Sequence, residues 1–186
     1  MRCMSDAPKP DAGTVDRFRT VMLPHLDAAY GYARWLTRDP VQAQDVAQEA
    51  MLRALRYFHA FRGEDAKPWL LRIVRNTWLD LARRHAAEKV PLEEIEDRAG
   101  DGLDPEQSAL AGDRRRQIAA ALAALPAEAR EVLVLREIED LSYKRIAVVL
   151  DLPIGTVMSR LARAREKLAA GLRGHLERRG HGLPDM

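Results

Sequence analysis

LSYKRIAVVLDLPIGTVMSRLARAR, running from Leu141 to Arg165, decides the fold. It reads as helix, tight turn, helix. Ser142 caps the first helix, Leu152-Pro153-Ile154-Gly155 forms the turn, and the second helix starts at Thr156 and continues to about Leu172. At helical spacing Val157, Leu161, Ala164 and Leu168 fall inward. Thr156, Ser159, Arg160, Arg163 and Lys167 share one outward arc. A basic arc on the second helix of such a pair can reach base edges and phosphates in a major groove. The pattern therefore predicts a DNA-binding helix-turn-helix, with the tail fraying beyond Gly174.

Working back from that motif, the chain reads as helices throughout. Pro126 opens a helix to about Glu137, and Asp104-Pro105-Glu106-Gln107 opens one to about Ala124. Asp39-Pro40-Val41-Gln42 is the same kind of start signal. Asp caps, Pro fills the first helical position and Gln can close a capping box. That helix is predicted to run to about Phe58. Others are predicted over 14–22, from about Pro24 to Thr37, and from Pro68 to about Arg84, with a loop over 59–66. Aromatic residues are only 5% of the chain while apolar residues are 47%, and long β-branched runs are missing. The expected fold is all-α: two small helical domains, 14–86 and 105–174, joined by a flexible acidic linker over 87–104. A disordered N-terminus (1–13) and a tail (175–186) flank them.

The formal net charge is +2, but it is unevenly distributed: +4 over residues 1–85, −7 over 86–113 and +5 over 114–186. Two basic lobes around an acidic segment suit a bipartite nucleic-acid binder.

Two faces in the first domain are candidates for contact. On the helix from Pro40, Ala47, Met51, Ala54, Leu55 and Phe58 form the core stripe, and Asp45, Gln48, Glu49 and Leu52 lie opposite. Carboxylates around one leucine suit either plain solvent or a partner helix bearing arginines. On the helix from Pro68, Leu70, Ile73, Val74, Thr77, Trp78 and Leu81 are expected inside. Arg72, Arg75, Asn76, Leu79 and Arg83 lie opposite, and Trp69 sits on the flank. With Phe61 and Arg62 in the preceding loop, this mixture of aromatics and arginines suits single-stranded nucleic acid.

Other chemistries lack their residues. Cys3 is the one cysteine, and the five histidines do not fall at metal-ligand spacing, so no metal or other cofactor is expected. No phosphate loop, nucleophile elbow or acid–base pair is present, so an enzyme is not expected. No apolar run approaches a membrane span and no signal-peptide core precedes the first domain, which predicts a cytoplasmic protein without membrane insertion. Gly31 within a helix is read as allowing close packing.

Several motifs together resemble one family. Asp45-Val-Ala-Gln-Glu-Ala-Met-Leu-Arg-Ala54, Phe61-Arg-Gly-Glu64, Trp69 to Arg84, Leu125-Pro-Ala-Glu-Ala-Arg-Glu-Val-Leu-Val-Leu-Arg-Glu137, Leu141-Ser-Tyr143 and Pro153 to Arg165 occur in this order. The pattern resembles bacterial RNA polymerase sigma factors of the extracytoplasmic-function (ECF) subfamily, over about 14–85 and 105–172. The last motif alone is shared with response-regulator output domains.

The resemblance implies a dissociable subunit that directs promoter-specific transcription initiation. In that reading 14–86 is a region 2-like domain and 105–174 a region 4-like domain. Asp45, Gln48, Glu49 and Leu52 would dock on the polymerase β′ coiled coil, and the second domain would reach the β flap. Phe61, Arg62, Trp69 and Asn76 would take a base from the melted −10 element while Arg72, Arg75, Arg83 and Arg84 follow the backbone. Thr156, Ser159, Arg160 and Arg163 would read the −35 element, with Tyr143 and Lys167 near phosphates. The linker would thread toward the RNA exit path. The resemblance also implies an anti-sigma partner, and a monomer in the absence of partners.

Three departures stand out. Arg145 occupies the position where the family usually has a capping-box glutamate, adding positive charge that would suit a phosphate contact. Met158 occupies a position commonly Lys or Arg, and Ala162 one that is sometimes aromatic. Two rival readings remain at this stage: an ordinary helix-turn-helix regulator, which would need a dimerisation element, and a decoy that sequesters an anti-sigma protein, which would need no basic faces.

Overall fold

The computed structural model describes residues 11–63, 65–88 and 117–180, with side chains at 11–63, 65–84 and 117–173. The fourth helix of the first domain runs to Glu88, two residues into the expected linker; the rest of that linker and both chain ends lie outside the described residues, as does most of the helix expected from Pro105. Four helices form the first domain: α1 (Ala12–Met22), α2 (Leu26–Thr37), α3 (Pro40–Arg56) and α4 (Ala66–Glu88). The second domain contains α5 (117–123), α6 (Ala127–Leu133), a π turn (Val134–Ile138), α7 (Tyr143–Leu150) and α8 (Ile154–Gly180). No strand occurs among the described residues.

Local chemistry sets the helix starts. Asp11 accepts the Thr14 amide at 2.7 Å, which begins α1 two residues before the expected start. Asp39 accepts the Val41 and Gln42 amides at 2.8 and 2.9 Å, with Pro40 in the first turn. That satisfies two of the amides a helix start leaves without partners. Between α2 and α3 the chain reverses at Arg38, a non-glycine residue in left-handed backbone (φ 60°). The segment expected as a loop after α3 includes a 3-10 turn, Phe58–Ala60.

In the helix-turn-helix, Ser142 Oγ accepts the Arg145 amide at 3.4 Å, a long cap without reciprocal help from position 145. Asp151 ends α7 in left-handed backbone (φ 55°), a conformation Asp tolerates better than most residues. The Pro153 carbonyl then accepts the Thr156 and Val157 amides, so α8 starts slightly before Thr156. The expected fraying beyond Gly174 is corrected: α8 continues to Gly180. Its stretch from Arg160 to Ala170 consists largely of good helix formers with no proline, which favours propagation.

The cores follow the expected stripes in part. On α3 Ala47, Ala54 and Phe58 are buried as expected, Met51 and Leu55 are half-buried, and Ala43, Val46 and Ala50 are buried in addition; on α4 Leu70, Val74 and Thr77 are buried while Ile73, Trp78 and Leu81 are half-buried; under α8 Val157, Leu161 and Ala164 are buried. Leu71 is also fully buried, on a different side of α4 from Leu70 and Val74. A second surface covers it, because α4 lies along α7 while α2 lies against α6 and the π turn. The two domains thus pack directly on each other, and their buried apolar residues form one continuous cluster.

Candidate polymerase and nucleic-acid interfaces

Three faces emerge, and they differ in how free they are. On α3, Asp45, Gln48 and Leu52 face solvent, and Leu52 retains 62% of its surface. Glu49 is less free. It receives Arg53 Nε at 2.8 Å, and Arg53 Nη1 reaches Asp80 of α4 at 2.7 Å. Hydrogen bonds to Glu49 and Asp80 outweigh desolvation and raise the Arg53 pKa. The triad ties α3 to α4 and sets the pitch of the face.

On α8, Arg163 and Lys167 are exposed, while Thr156, Ser159 and Arg160 are half-buried at its N-terminal end. Ser159 Oγ donates to the Thr156 carbonyl at 3.0 Å, and Arg160 pairs with Glu128 at 3.3 Å. Met158 projects into solvent beside them, 53% exposed. Arg165 turns the other way and grips Glu137 through Nε and Nη2 at 3.2 and 2.8 Å, clamping α8 to the π turn. Tyr143 is half-buried, with the Arg136 guanidinium 5.5 Å from its ring centre.

The residues around α4 fall into three groups. Arg62, Asn76, Arg83 and Arg84 are exposed. Phe61 is buried between Phe58 and Trp69, with ring centres at 5.7 and 5.3 Å, and Trp69 is half-buried. The aromatic pair is thus a packed wall with one edge toward solvent. Arg75 and Arg72 are engaged by the second domain. Arg75 Nε donates to Glu131 Oε1 at 2.8 Å, and Arg72 lies 3.6 Å from Asp151.

The cross-domain network extends further. Glu131 Oε1 also accepts the Tyr32 hydroxyl at 2.9 Å, and Lys67 Nζ meets both the carboxylate and the carbonyl of Glu139 at 2.8 Å. Arg38 Nη2 donates to the Ala123 carbonyl at 3.1 Å, and Arg145 Nε pairs with Asp65 at 2.6 Å. Arg145 is therefore engaged within the protein in this arrangement. Gly31 faces Glu139, but an added Cβ would meet Oε1 only at 4.0 Å, an ordinary contact, so the expected close packing at this glycine is not what the structure shows.

Lys67, Leu71, Tyr32, Glu131 and Glu139 were not among the residues singled out from the sequence. Two signals were present. Lys67, Leu71 and Arg75 recur every fourth residue, on one stripe of α4. Val132 to Leu135 is an unbroken apolar run, which a one-sided helix does not need and a doubly covered one does.

Among the described residues no group of His, Cys, Asp and Glu is arranged to hold a metal, and no helix is long and apolar enough to cross a membrane.

Comparison with known proteins places the chain in a family. The family model Sigma-70 region 2 matches residues 22–88, and Sigma-70, region 4 matches residues 115–168. The RNA polymerase sigma-H factor of Pseudomonas aeruginosa is 36% identical over 165 residues, covering 83% of this chain and 86% of the relative. The chain belongs to the ECF sigma factors. The ECF sigma-E factor of Escherichia coli K12 is 37% identical over 134 residues, covering 67% of this chain and 70% of the relative. Among solved structures, the sigma factor RpoE in complex with the anti-sigma factor NepR from Bartonella quintana superposes with a TM-score of 0.70. It is 27% identical, with 85% of this chain and 98% of that chain covered. CnrH in complex with the cytosolic domain of CnrY gives 0.62 at 28% identity, over 88% and 92% of the two chains. As an ECF sigma factor the protein binds RNA polymerase and directs promoter-specific initiation.

Proposed function

We propose that the work of this ECF sigma factor is divided among the three faces. Asp45, Gln48, Glu49 and Leu52 dock on the β′ coiled coil of core polymerase, and the second domain meets the β flap. The surface around α4 takes the melted −10 strand. Arg62, Asn76, Arg83 and Arg84 meet it first, Arg72 and Arg75 follow its backbone, and Phe61 and Trp69 give an aromatic wall for an unstacked base. Thr156, Ser159, Arg160 and Arg163 read the −35 duplex, while Tyr143 and Lys167 neighbour its phosphates. Each contact alone is weak. Tethering both to one polymerase raises their effective concentrations and produces selectivity.

The observation that carries this reading is the one-sidedness of α8: Val157, Leu161 and Ala164 are buried while Arg163 and Lys167 face solvent. Control by an anti-sigma protein is part of the proposal, supported by a neighbour whose structure is a complex with an anti-sigma factor. Action in the cytoplasm follows from the location of polymerase and promoter DNA.

Run-off transcription with purified core on a pool of promoter fragments tests it. The protein should confer defined start sites that core alone lacks. Unchanged start-site choice, with no inhibitor bound, overturns it.

A further inference from the structure

The aromatic wall at Trp69 and Phe61 continues away from α4. Phe61 stacks on Phe58 with ring centres 5.7 Å apart, and Phe58 is flanked in the chain by Tyr57 and His59. Phe58 and Phe61 are buried, so the row of rings reaches solvent at its two ends. One end is the half-buried Trp69. The other is Tyr57 with His59, both exposed, their ring centres 6.4 Å apart and their planes inclined at 49°.

The backbone explains why these two rings point outward. Tyr57 closes α3, its amide donating to the Arg53 carbonyl, and the 3-10 turn Phe58–Ala60 follows at once. Such a turn has about three residues per revolution, so neighbouring side chains diverge by about 120° and residues three apart eclipse. Phe58 and Phe61 therefore lie one over the other, with only 17° between their planes, and turn inward together. Tyr57 and His59, on either side of Phe58, are directed away from the core.

Cations rim the exposed pair. Arg17 of α1 is exposed, and its guanidinium lies 5.5 Å from the Phe58 ring centre. A ring face holds a guanidinium in place without neutralising it. Arg62 is exposed beside Phe61. Neither arginine has a carboxylate partner among the described residues. Single exposed rings need no explanation, whereas two in contact, rimmed by unneutralised cations, form a patch that asks for a ligand. Flat π faces beside guanidinium groups suit unstacked bases on a phosphate chain.

We propose that Tyr57 and His59 form a second stacking platform for the melted promoter strand. It takes a different base from the one at the Phe61–Trp69 wall, and Arg17 and Arg62 meet the phosphates between the two. This rests on the reading of the α4 surface as the −10 site and lengthens the strand's path across the first domain. A second stacked base offsets more of the cost of unpairing, so the platform stabilises the opened promoter.

The test uses holoenzyme assembled from core polymerase and the full chain. Its DNA is a fork-junction promoter fragment, single-stranded through the −10 element and beyond, with an abasic site placed at each single-stranded position in turn. Wild type should lose about tenfold in affinity at two positions, within the range that base–aromatic stacking supplies. Tyr57→Ala with His59→Ala should bind the intact fragment about tenfold more weakly and ignore the abasic site at one of those positions, while responding normally at the other. Its melting temperature and core binding should be unchanged, since both side chains are exposed. Tyr57→Phe, which keeps the π face, should bind as wild type. Arg17→Gln should flatten the salt dependence by about 0.7 in slope, one single-strand phosphate contact. An alanine variant that binds the intact fragment as wild type overturns the proposal. So does a loss that adds in full to the abasic loss at every position, or a Tyr57→Phe variant as weak as alanine, which would assign the contact to the hydroxyl. Loss of core binding in a pull-down would make the patch a protein contact and overturn it too. If one position alone responds and Trp69→Ala abolishes that response, the −10 reading stands and the second platform falls. If wild-type holoenzyme binds the fork no tighter than the closed duplex, both fall.

Discussion

Glu131 Oε1 accepts the hydroxyl of Tyr32 at 2.9 Å across 99 positions of sequence, and the same oxygen accepts Arg75 Nε at 2.8 Å. Tyr32 is fully buried, so its hydroxyl needs a partner, and the domain packing supplies it. Without Arg75 the carboxylate would be an uncompensated charge in a dry interface. The three groups make sense only together, and together they require the domains to be in contact.

Tyr32→Phe removes one hydrogen bond to a charged acceptor and leaves Glu131 still paired with Arg75. The expected loss is about 1.5–3 kcal/mol, toward the lower end because the charge stays matched. Chemical denaturation followed by circular dichroism measures it. An unchanged midpoint would mean the bond is not formed in solution.

Burial, then the neighbouring Glu131 charge and hydrogen bond, raises the Tyr32 pKa well above the usual 10.0. The sign follows. A group whose folded pKa is raised stabilises fully below its unfolded value, and that contribution is lost as pH climbs through the folded value. An alkaline titration read by near-ultraviolet absorbance should therefore contain one tyrosine that ionises late. It should be absent from Tyr32→Phe and shift back toward 10.0 in Glu131→Gln.

Thr77 is fully buried, and its hydroxyl has no partner among the described residues. Thr77→Val keeps the shape and removes the stranded oxygen. Stability should rise by about 1 kcal/mol, seen as a higher melting temperature. A fall instead would show that the hydroxyl bonds in solution.

The helices and their starts were readable because caps and apolar periods are local. Asp39 with Pro40, and Val157 with Leu161 and Ala164, announce themselves within one or two turns. The relation between the domains was not readable. Arg75 looked like a solvent-facing cation because its partner is 56 positions away, on an element whose apolar run signalled a second covered side without saying which cation would meet it. Phe61 looked available because it sits in a short loop, yet the same sequence stacks it against Phe58 and Trp69. Leu71 was the residue that could have warned of the closure. It is a large apolar side chain on the stripe between two cations, and such a position is costly in water.

The separation of faces predicts two distinct failures. Arg160→Glu with Arg163→Glu puts negative charge where the −35 duplex would be read, and position 160 also faces Glu128. Lost base contacts of about 1–3 kcal/mol each should abolish promoter-directed initiation while core binding persists. The matching reversal on α3 is better made at Asp45 and Gln48 than at Glu49. Glu49 is joined through Arg53 to Asp80, so altering it would disturb the α3–α4 junction as well as the surface. Asp45→Lys with Gln48→Lys should abolish core binding with little change in melting temperature, since both side chains face solvent. A pull-down with core polymerase, scored beside a gel shift of the assembled complex on promoter DNA, distinguishes the pairs. Equal loss in the pull-down would mean that α3 and α8 do not act as separate surfaces.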